Sequence, residues 1–469
     1  MQLFYFGWSI DHTMFPYVLE LLIDAIINFH GDRSEVWSAV AAPLWMGAIL
    51  WICVECSYRF AGFISIRVTP RLEAEVRMAM FDYVQRHSHV YFSTKFTGSL
   101  ANKIADMPRS MTHVLLLLMS LFFPVLVALA IASALLAAIH PLFAVLLLTW
   151  IAIHIAICIS FAKKCDQYAD IHAEARSALS GKIVDSLSNH LNVKLFARYG
   201  FERRHLERFQ KDEQEKHAES LWRIEKMKIA LGIASFLGAG VAMNWFMIYS
   251  WQQGRLTPGE VVFVFNTVWN ITMMAWLAGL EIPNFFKEIG VCRQALTVIQ
   301  DAHDITDAHN ALPLKIEQGE ITFENVTFHY TSDNNIFQDK NISIKAGSKV
   351  GLVGFSGSGK TTFVHLILRH YDVERGRILL DGQNIASVTQ DSLRSQIAMI
   401  PQDAVLFHRT LIENIRYGRL DATDEEVIEA SKKAHCHEFI EDLPDKYHTL
   451  AGERGVKLSG GAASTHCYC

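Results

Sequence analysis

The chain is 469 residues long, 51% hydrophobic and only 19% charged, with a net charge of -5. So apolar a composition excludes a purely soluble protein. The slight acidity excludes a polyanion binder, so no nucleic-acid partner is expected and phosphate contact must be local.

A bilayer core about 30 Å thick requires roughly 20 apolar residues in a helix. Six blocks qualify or nearly do: 2–28, 39–62, 111–139, 141–163, 229–251 and 257–283. The first is the poorest, interrupted by Asp11, His12 and Glu20. Only His140-Pro141 separates the third and fourth, which predicts an antiparallel hairpin. No cleavable signal peptide is evident, because the first apolar run lacks a basic flank and leads into further spans.

The connections alternate in length and charge. Residues 29–38, 140–141 and 252–256 are short and carry only Arg33 and Arg255 as bases. The segments 63–110 and 164–228 are long, helix-patterned and basic, with Arg67, Arg71, Arg77, Arg86, Lys95 and Lys103 in one and Lys164, Lys194, Arg198, Arg203, Arg204 and Arg208 in the other. The positive-inside rule assigns both, and everything after residue 284, to the cytoplasm. Their periodicity extends the membrane helices beyond the bilayer, with breaks near Thr97-Gly98 and Arg198-Tyr199-Gly200. Each break could present a short helix to a soluble domain. Asp11, Glu55, Asn244, Asn266 and Asn270 fall within the spans, where they line a pathway or, more commonly for amides, tie helices together.

The eight cysteines show no secreted-scaffold spacing. Cys53-x-x-Cys56 and His435-Cys436-His437 each lack a second ligand pair at zinc-finger spacing and read as packing or surface residues.

Within 348–368, "SKVGLVGFSGSGKTTFVHLIL", Val350 to Val353 reads as a buried strand and Phe363 to Leu368 opens a helix. Between them stands Gly354-x-x-x-x-Gly359-Lys360-Thr361. Such glycines let backbone N–H groups curl around phosphate oxygens, a lysine at this position reaches the outer phosphates, and the hydroxyl of Thr361 can hold Mg²⁺. The candidate ATP-binding residues of this loop are Gly354, Ser356, Gly357, Ser358, Gly359, Lys360, Thr361 and Thr362. The motif by itself leaves kinases, GTPases and many ATPases open.

The neighbouring stretches narrow the choice. "ITFENVTFHY" (321–330), "GRILLDGQNI" (376–385), "SLRSQIAMIPQDAVLF" (392–407), "TLIENIRYG" (410–418) and "GERGVKLSGG" (452–461) resemble successive motifs of ATP-binding-cassette (ABC) proteins. "VYFSTKFTGSLANKIADM" (90–107) and "GRLTPGEVVFVF" (254–265) resemble the membrane domain of exporter-type half-transporters. The resemblance implies a multidomain protein, an all-α six-helix transmembrane domain followed by an incomplete α/β P-loop NTPase domain. Its expected limits are 1–300, a linker at 301–318, and a nucleotide-binding domain at 319–469.

By the same resemblance Tyr330 stacks on adenine, Gln402 senses Mg²⁺ and the outer phosphate, and Ser459, Gly460 and Gly461 close on the ATP of a second half-transporter, most simply an identical copy. The expected cofactors are ATP and Mg²⁺, and the expected setting is a multi-pass protein of a bacterial inner membrane with its cassette in the cytoplasm, exporting an unidentified cargo. From Ala462 onward the sequence departs from the family, which continues with Gln and later supplies the Asp-Glu strand and switch histidine of hydrolysis. The expectation is a frameshifted or truncated form with a weakened cassette and impaired hydrolysis, or alternatively a non-hydrolysing subunit that regulates an intact partner.

Overall fold

The computed structural model describes residues 2–95, 97–330, 335–355, 357–400 and 406–451. The chain divides into two compact units, Met1–His87 with Tyr91–His303, and Ser88–Val90 with Asp304–Cys469.

Helices in chain order run α1 (Gln2–Ile27), α2 (Trp37–Val84), α3 (His89–Thr94), α4 (Thr97–Leu117), α5 (Phe123–Ile139), α6 (Pro141–Ser188), α7 (His190–Leu195), α8 (Tyr199–Ser235), α9 (Asn244–Gln252) and α10 (Pro258–Gln300). Five helical stretches, Arg33–Val84, Leu100–Ile139, Pro141–Ser188, Tyr199–Gln252 and Pro258–Gln300, are long and apolar enough to cross a bilayer. α1 coincides with the first expected span and, at 26 residues, is about 39 Å long. Asp11, Glu20 and Asp24 place three acidic residues within it, so it meets the length requirement and not the composition one.

The breaks expected in the long loops are present. α3 ends at Thr94 and α4 begins at Thr97; α7 ends at Leu195 and α8 begins at Tyr199. At the hairpin, His140 is extended and its Nδ1 accepts the Leu142 amide at 3.2 Å, while Pro141 opens α6 without a donor to lose. Pro124 has no N–H and would press on the carbonyl four residues back. The preceding residues, Leu118–Phe122, widen into a π turn in which the Phe123 amide reaches Leu118 O.

α5, α6, α9 and α10 share one core, with Leu136, Phe143, Leu147, Met243, Phe263, Ile271 and Met274 almost fully enclosed. Trp45, Ile49, Trp51, Phe63 and Ile66 of α2, Trp245 of α9 and Trp269 of α10 stand exposed, as expected of elements that are apolar all round and solvated by lipid. Of the amides within the spans, Asn270 does tie helices, donating to His12 O in α1 at 3.3 Å. Asn266 and Asn244 instead turn back to Val262 O and Gly240 O of their own helical segments.

In the second unit β1 (Ile321–His329), β2 (Asn335–Ile344), β3 (Arg375–Leu380) and β4 (Gln383–Asn384) form a sheet in the order β2-β1-β3-β4, antiparallel throughout. A bulge at Asn325, where φ is 49°, restores phase along β1 so that Phe323, Val326 and Phe328 all reach the core. Val350 to Val353, expected as a buried strand, differs: it belongs to no strand, Val350 is 54% exposed and Val353 is 97% exposed. A strand is buried on both faces only with neighbours beside it, and among the described residues no strand pairs with this run.

Helices α11 (Lys360–Ile367) and α12 (Gln390–Ser395) complete the sheet's core with Phe363, Leu366 and Leu393. A second core joins α13 (Leu411–Arg416), α14 (Asp424–Lys433) and α15 (His437–Glu441) and encloses Cys436, which is a packing residue as expected. Capping boxes at Thr410/Glu413 and Thr423/Glu426 start α13 and α14.

Two long-range caps yield predictions. Asp24 accepts from Thr257 Oγ1 and the Gly259 amide, both at 2.8 Å, at the start of α10, and a Cβ on Gly259 would lie 2.5 Å from the Asp24 carboxyl carbon. Asp24→Ala is expected to destabilise the membrane unit by about 0.5–2 kcal/mol, the range of a lost N-cap. Gly259→Ala should act in the same direction, both read by thermal unfolding in detergent. Asp381 accepts from the amides of Glu317, Gln318, Gly319 and Glu320, which hold its carboxyl well below the usual range, the Gln318 bond contributing most. A depressed folded pKa stabilises the fold above the unfolded value, about 3.9, and that contribution is lost as pH falls through the folded value. Asp381→Asn should therefore lower the thermal midpoint at neutral pH and flatten its decline below about pH 4, as followed by circular dichroism across pH.

Candidate functional site

The loop from Gly354 to Gly359 leads directly into α11. Gly359 is its N-cap, in the left-handed region at φ 90°, and Gly357 is also left-handed at φ 82°. A Cβ at Gly359 would stand 2.9 Å from Ile336 Cγ2 and 3.3 Å from the Phe337 ring, so both backbone conformation and space demand glycine there. At Gly354 an added Cβ would meet Ser358 Oγ at 2.6 Å.

The first-turn amides of α11, those of Lys360, Thr361 and Thr362, have no acceptor within the helix by its geometry. The Lys360 ammonium folds back over the loop, donating to Gly354 O at 2.7 Å and Phe355 O at 2.8 Å, with Ser358 Oγ at 3.4 Å. The Thr361 side chain is exposed. The donor set is therefore amide N–H, hydroxyl and ammonium, the chemistry that receives an anion with several oxygens, reinforced by the positive end of the helix.

Thr362 faces the other way. It is 5% exposed, and its hydroxyl shares a 3.0 Å hydrogen bond with Tyr330 OH. Tyr330 is half-exposed at the end of β1 and packs edge-on against Phe328 and Tyr371, with ring centroids 5.1 and 5.0 Å away. The structure thus brings Tyr330, Gly354, Gly357, Ser358, Gly359, Lys360, Thr361 and Thr362 into one neighbourhood. Ser356, Gln402, Ser459, Gly460 and Gly461 lie outside the described residues.

The opposite end of α11 is held by residues to which the sequence assigned no role. Arg394 donates to the carbonyls of Leu368 and Arg369 at 3.2 and 2.9 Å, satisfying acceptors where a helix accumulates negative potential. Buried Arg369, with φ 49°, pairs with Asp372 at 2.7 Å and reaches Thr306 O at 3.1 Å. Burial first, then Arg394, His365 and His89, push the neighbouring His370 down to about 4, so it is neutral at physiological pH. These partners are separated by up to 63 residues, too far for spacing to reveal them.

A phosphate loop opening a helix, an antiparallel sheet beside it, and a preceding unit of bilayer-length helices define a nucleotide-binding cassette fused to a membrane domain. Residues 11–276 match the ABC transporter transmembrane region and residues 337–467 match the ABC transporter family, so the chain belongs to that family, with both regions in one polypeptide. An uncharacterized ABC transporter ATP-binding protein of Haemophilus influenzae is 33% identical over 382 residues, 79% of this chain and 61% of that protein. A mitochondrial iron-sulfur clusters transporter ATM1 of Debaryomyces hansenii is 39% identical over 59% of this chain and 40% of its own. An ATM1-type heavy metal exporter of Novosphingobium aromaticivorans is 39% identical over 60% of this chain and 46% of its own. The chain thus spans less than two thirds of the length of each of these relatives. Among solved structures, a bacterial Atm1-family ABC exporter with ATP bound superposes with a TM-score of 0.89 at 26% identity, over 100% of this chain and 82% of that one.

Lys360→Ala removes a charged donor worth about 1.5–3 kcal/mol. It is expected to weaken nucleotide binding about 10- to 100-fold by that figure, and Gly359→Ala should weaken it too by forcing the loop open. Titration of the purified full chain with a fluorescent ATP analogue measures both; unchanged affinity in Lys360→Ala would remove the loop from the site.

Proposed function

We propose that the chain is one half of an ATP-driven exporter. The observation that carries this reading is the loop itself: left-handed Gly357 and Gly359 and the Lys360 ammonium open α11 in a polypeptide whose described residues include five helical stretches long and apolar enough to cross a bilayer. In this reading the loop amides, Lys360 and Ser358 hold the phosphates, Thr361 with Gln402 holds Mg²⁺, and Tyr330 lies against the base. Bound Mg²⁺ would draw charge from the outer phosphates; Lys360 neutralises and positions them.

One chain carries one phosphate loop and one Ser459-Gly460-Gly461 segment. Because that segment serves the ATP of the other subunit, two copies are needed to enclose each ATP. Closure of the pair on ATP favours one conformation of the membrane helices over another, which is how binding energy becomes transport. The basic 63–110 and 164–228 segments support a cytoplasmic cassette in a cell membrane.

For the cargo, the names of two relatives, a heavy metal exporter and an iron-sulfur clusters transporter, favour a metal-containing species. Small-molecule sites are cavities of about 300–1,000 Å³, and the membrane unit holds one of 630 Å³ between α5, α6 and α10, lined by Phe122, Ile155 and Phe286 with His154 and Cys158 as candidate ligands. Inverted vesicles containing the protein should accumulate heavy-metal ions only with ATP, and Lys360→Ala should abolish uptake. Native mass spectrometry should show ATP-dependent pairing of two chains. Uptake that is indifferent to ATP would refute the exporter reading.

A further inference from the structure

Far along the helical extensions of α6 and α8, three side chains capable of holding a metal converge. His172 lies on α6, and Glu213 and His217 lie one turn apart on α8, a spacing that sets both on one face of that helix. One ligand atom from each lies within 4.8 Å of the others. His172 Nε2 and Glu213 Oε1 are 2.9 Å apart, and the His172 and His217 rings stack in parallel with centroids 4.2 Å apart. Gln210 Nε2 donates to the second Glu213 oxygen at 3.1 Å, which orients the carboxylate from outside.

We propose that His172, Glu213 and His217 form a binding site for one divalent cation of the zinc class, which staples α6 to α8. Two imidazoles and a carboxylate are an established donor set for such an ion, leaving a fourth position to water. Bonds of about 2.0–2.1 Å at tetrahedral angles separate ligand atoms by roughly 3.3 Å. The His172–Glu213 pair, now joined through a shared proton, therefore opens only slightly when a cation takes that proton's place. The His217 ring must turn from the stack to aim at the same point. It is exposed, and χ2 of histidine is a soft torsion.

Packing favours retention of the ion once bound. The side chains of His172 and Glu213 are only 18% and 15% exposed, while His217 on the outer side leaves a path for entry. Nearby Lys216 is engaged by Asp212 at 2.9 Å, so its ammonium is held by a carboxylate of its own. This inference rests on α6 and α8 alone and is independent of the cargo proposed above.

The test is titration of the purified full chain in detergent with Zn²⁺ by calorimetry and with Co²⁺ by visible absorption. One saturable site per chain is expected, with cobalt d–d bands and without the near-ultraviolet thiolate charge transfer that cysteine ligation produces. Loss of an outer partner costs roughly 10- to 100-fold in affinity. Gln210→Ala should fall in that range, and His217→Ala and His172→Ala should exceed it. His217 is exposed, so its variant should keep the wild-type circular dichroism, and Zn²⁺ should raise the thermal midpoint of the wild type but not of His217→Ala. No saturable binding, a thiolate band as the only cobalt signal, or equal affinity in the folded His217→Ala variant would overturn the proposal and leave His172–Glu213 as a cross-helix ion pair only.

Discussion

A backbone amide in hydrocarbon has no water to bond, so it must find its acceptor within its own chain segment. That constraint organises the first unit. It explains why the bilayer-crossing parts of α2, α6 and α10 stay helical, since the carbonyls of each turn take the amides of the next. It also explains how irregularities are absorbed. At Pro124 the ladder shifts to π spacing instead of breaking, at His140 the imidazole supplies the missing acceptor, and at the start of α10 the Asp24 carboxylate comes from another helix to take the free donors. Asp24, one of the acidic residues that interrupt α1, thus serves the same end.

The cassette solves the opposite problem, because its α11 must leave donors free at one end while remaining anchored. The Arg394 guanidinium and the Arg369 region hold the C-terminal carbonyls, and Phe363 and Leu366 fix the buried face. With the helix pinned behind, left-handed Gly359 turns the backbone where the first-turn amides begin, and the Lys360 ammonium folds over the same loop. Tyr330 belongs to both worlds: its ring packs on Phe328 and Tyr371, and nearly half of its surface stays open.

Much of this was readable in advance. The apolar blocks foretold the bilayer-length helices, and the breaks near Thr97-Gly98 and Arg198-Tyr199-Gly200 fall within a few residues of where α4 and α8 begin. His140-Pro141 marked its hairpin. The loop residues from Gly354 to Thr362 were identified as a group, apart from Ser356, which lies outside the described residues. A residue whose role depends on something far along the chain leaves no local trace of it. Val350 to Val353 has a strand's composition and no described neighbour to pair with. Asn266 and Asn244 were candidates to link helices, yet a carbonyl one turn back is nearer than any facing helix. Asp381 stands within the stretch "GRILLDGQNI", yet nothing there assigned it a role, because the four amides it collects lie more than 60 residues away.

The sequence by itself therefore determined the elements whose causes are contiguous: helical spans from unbroken apolarity, turns from Pro and Gly, and the phosphate loop from a motif of eight residues, Gly354 to Thr361. Only the tertiary structure decided which side chains meet across elements, such as Asp24 with Gly259, Arg394 with the end of α11, and His172 with Glu213 over a separation of 41 residues. The physical reason is range. Local propensity and periodicity act over a turn or two of chain, whereas these pairings follow from the packing of whole helices, which brings together residues that share no local pattern.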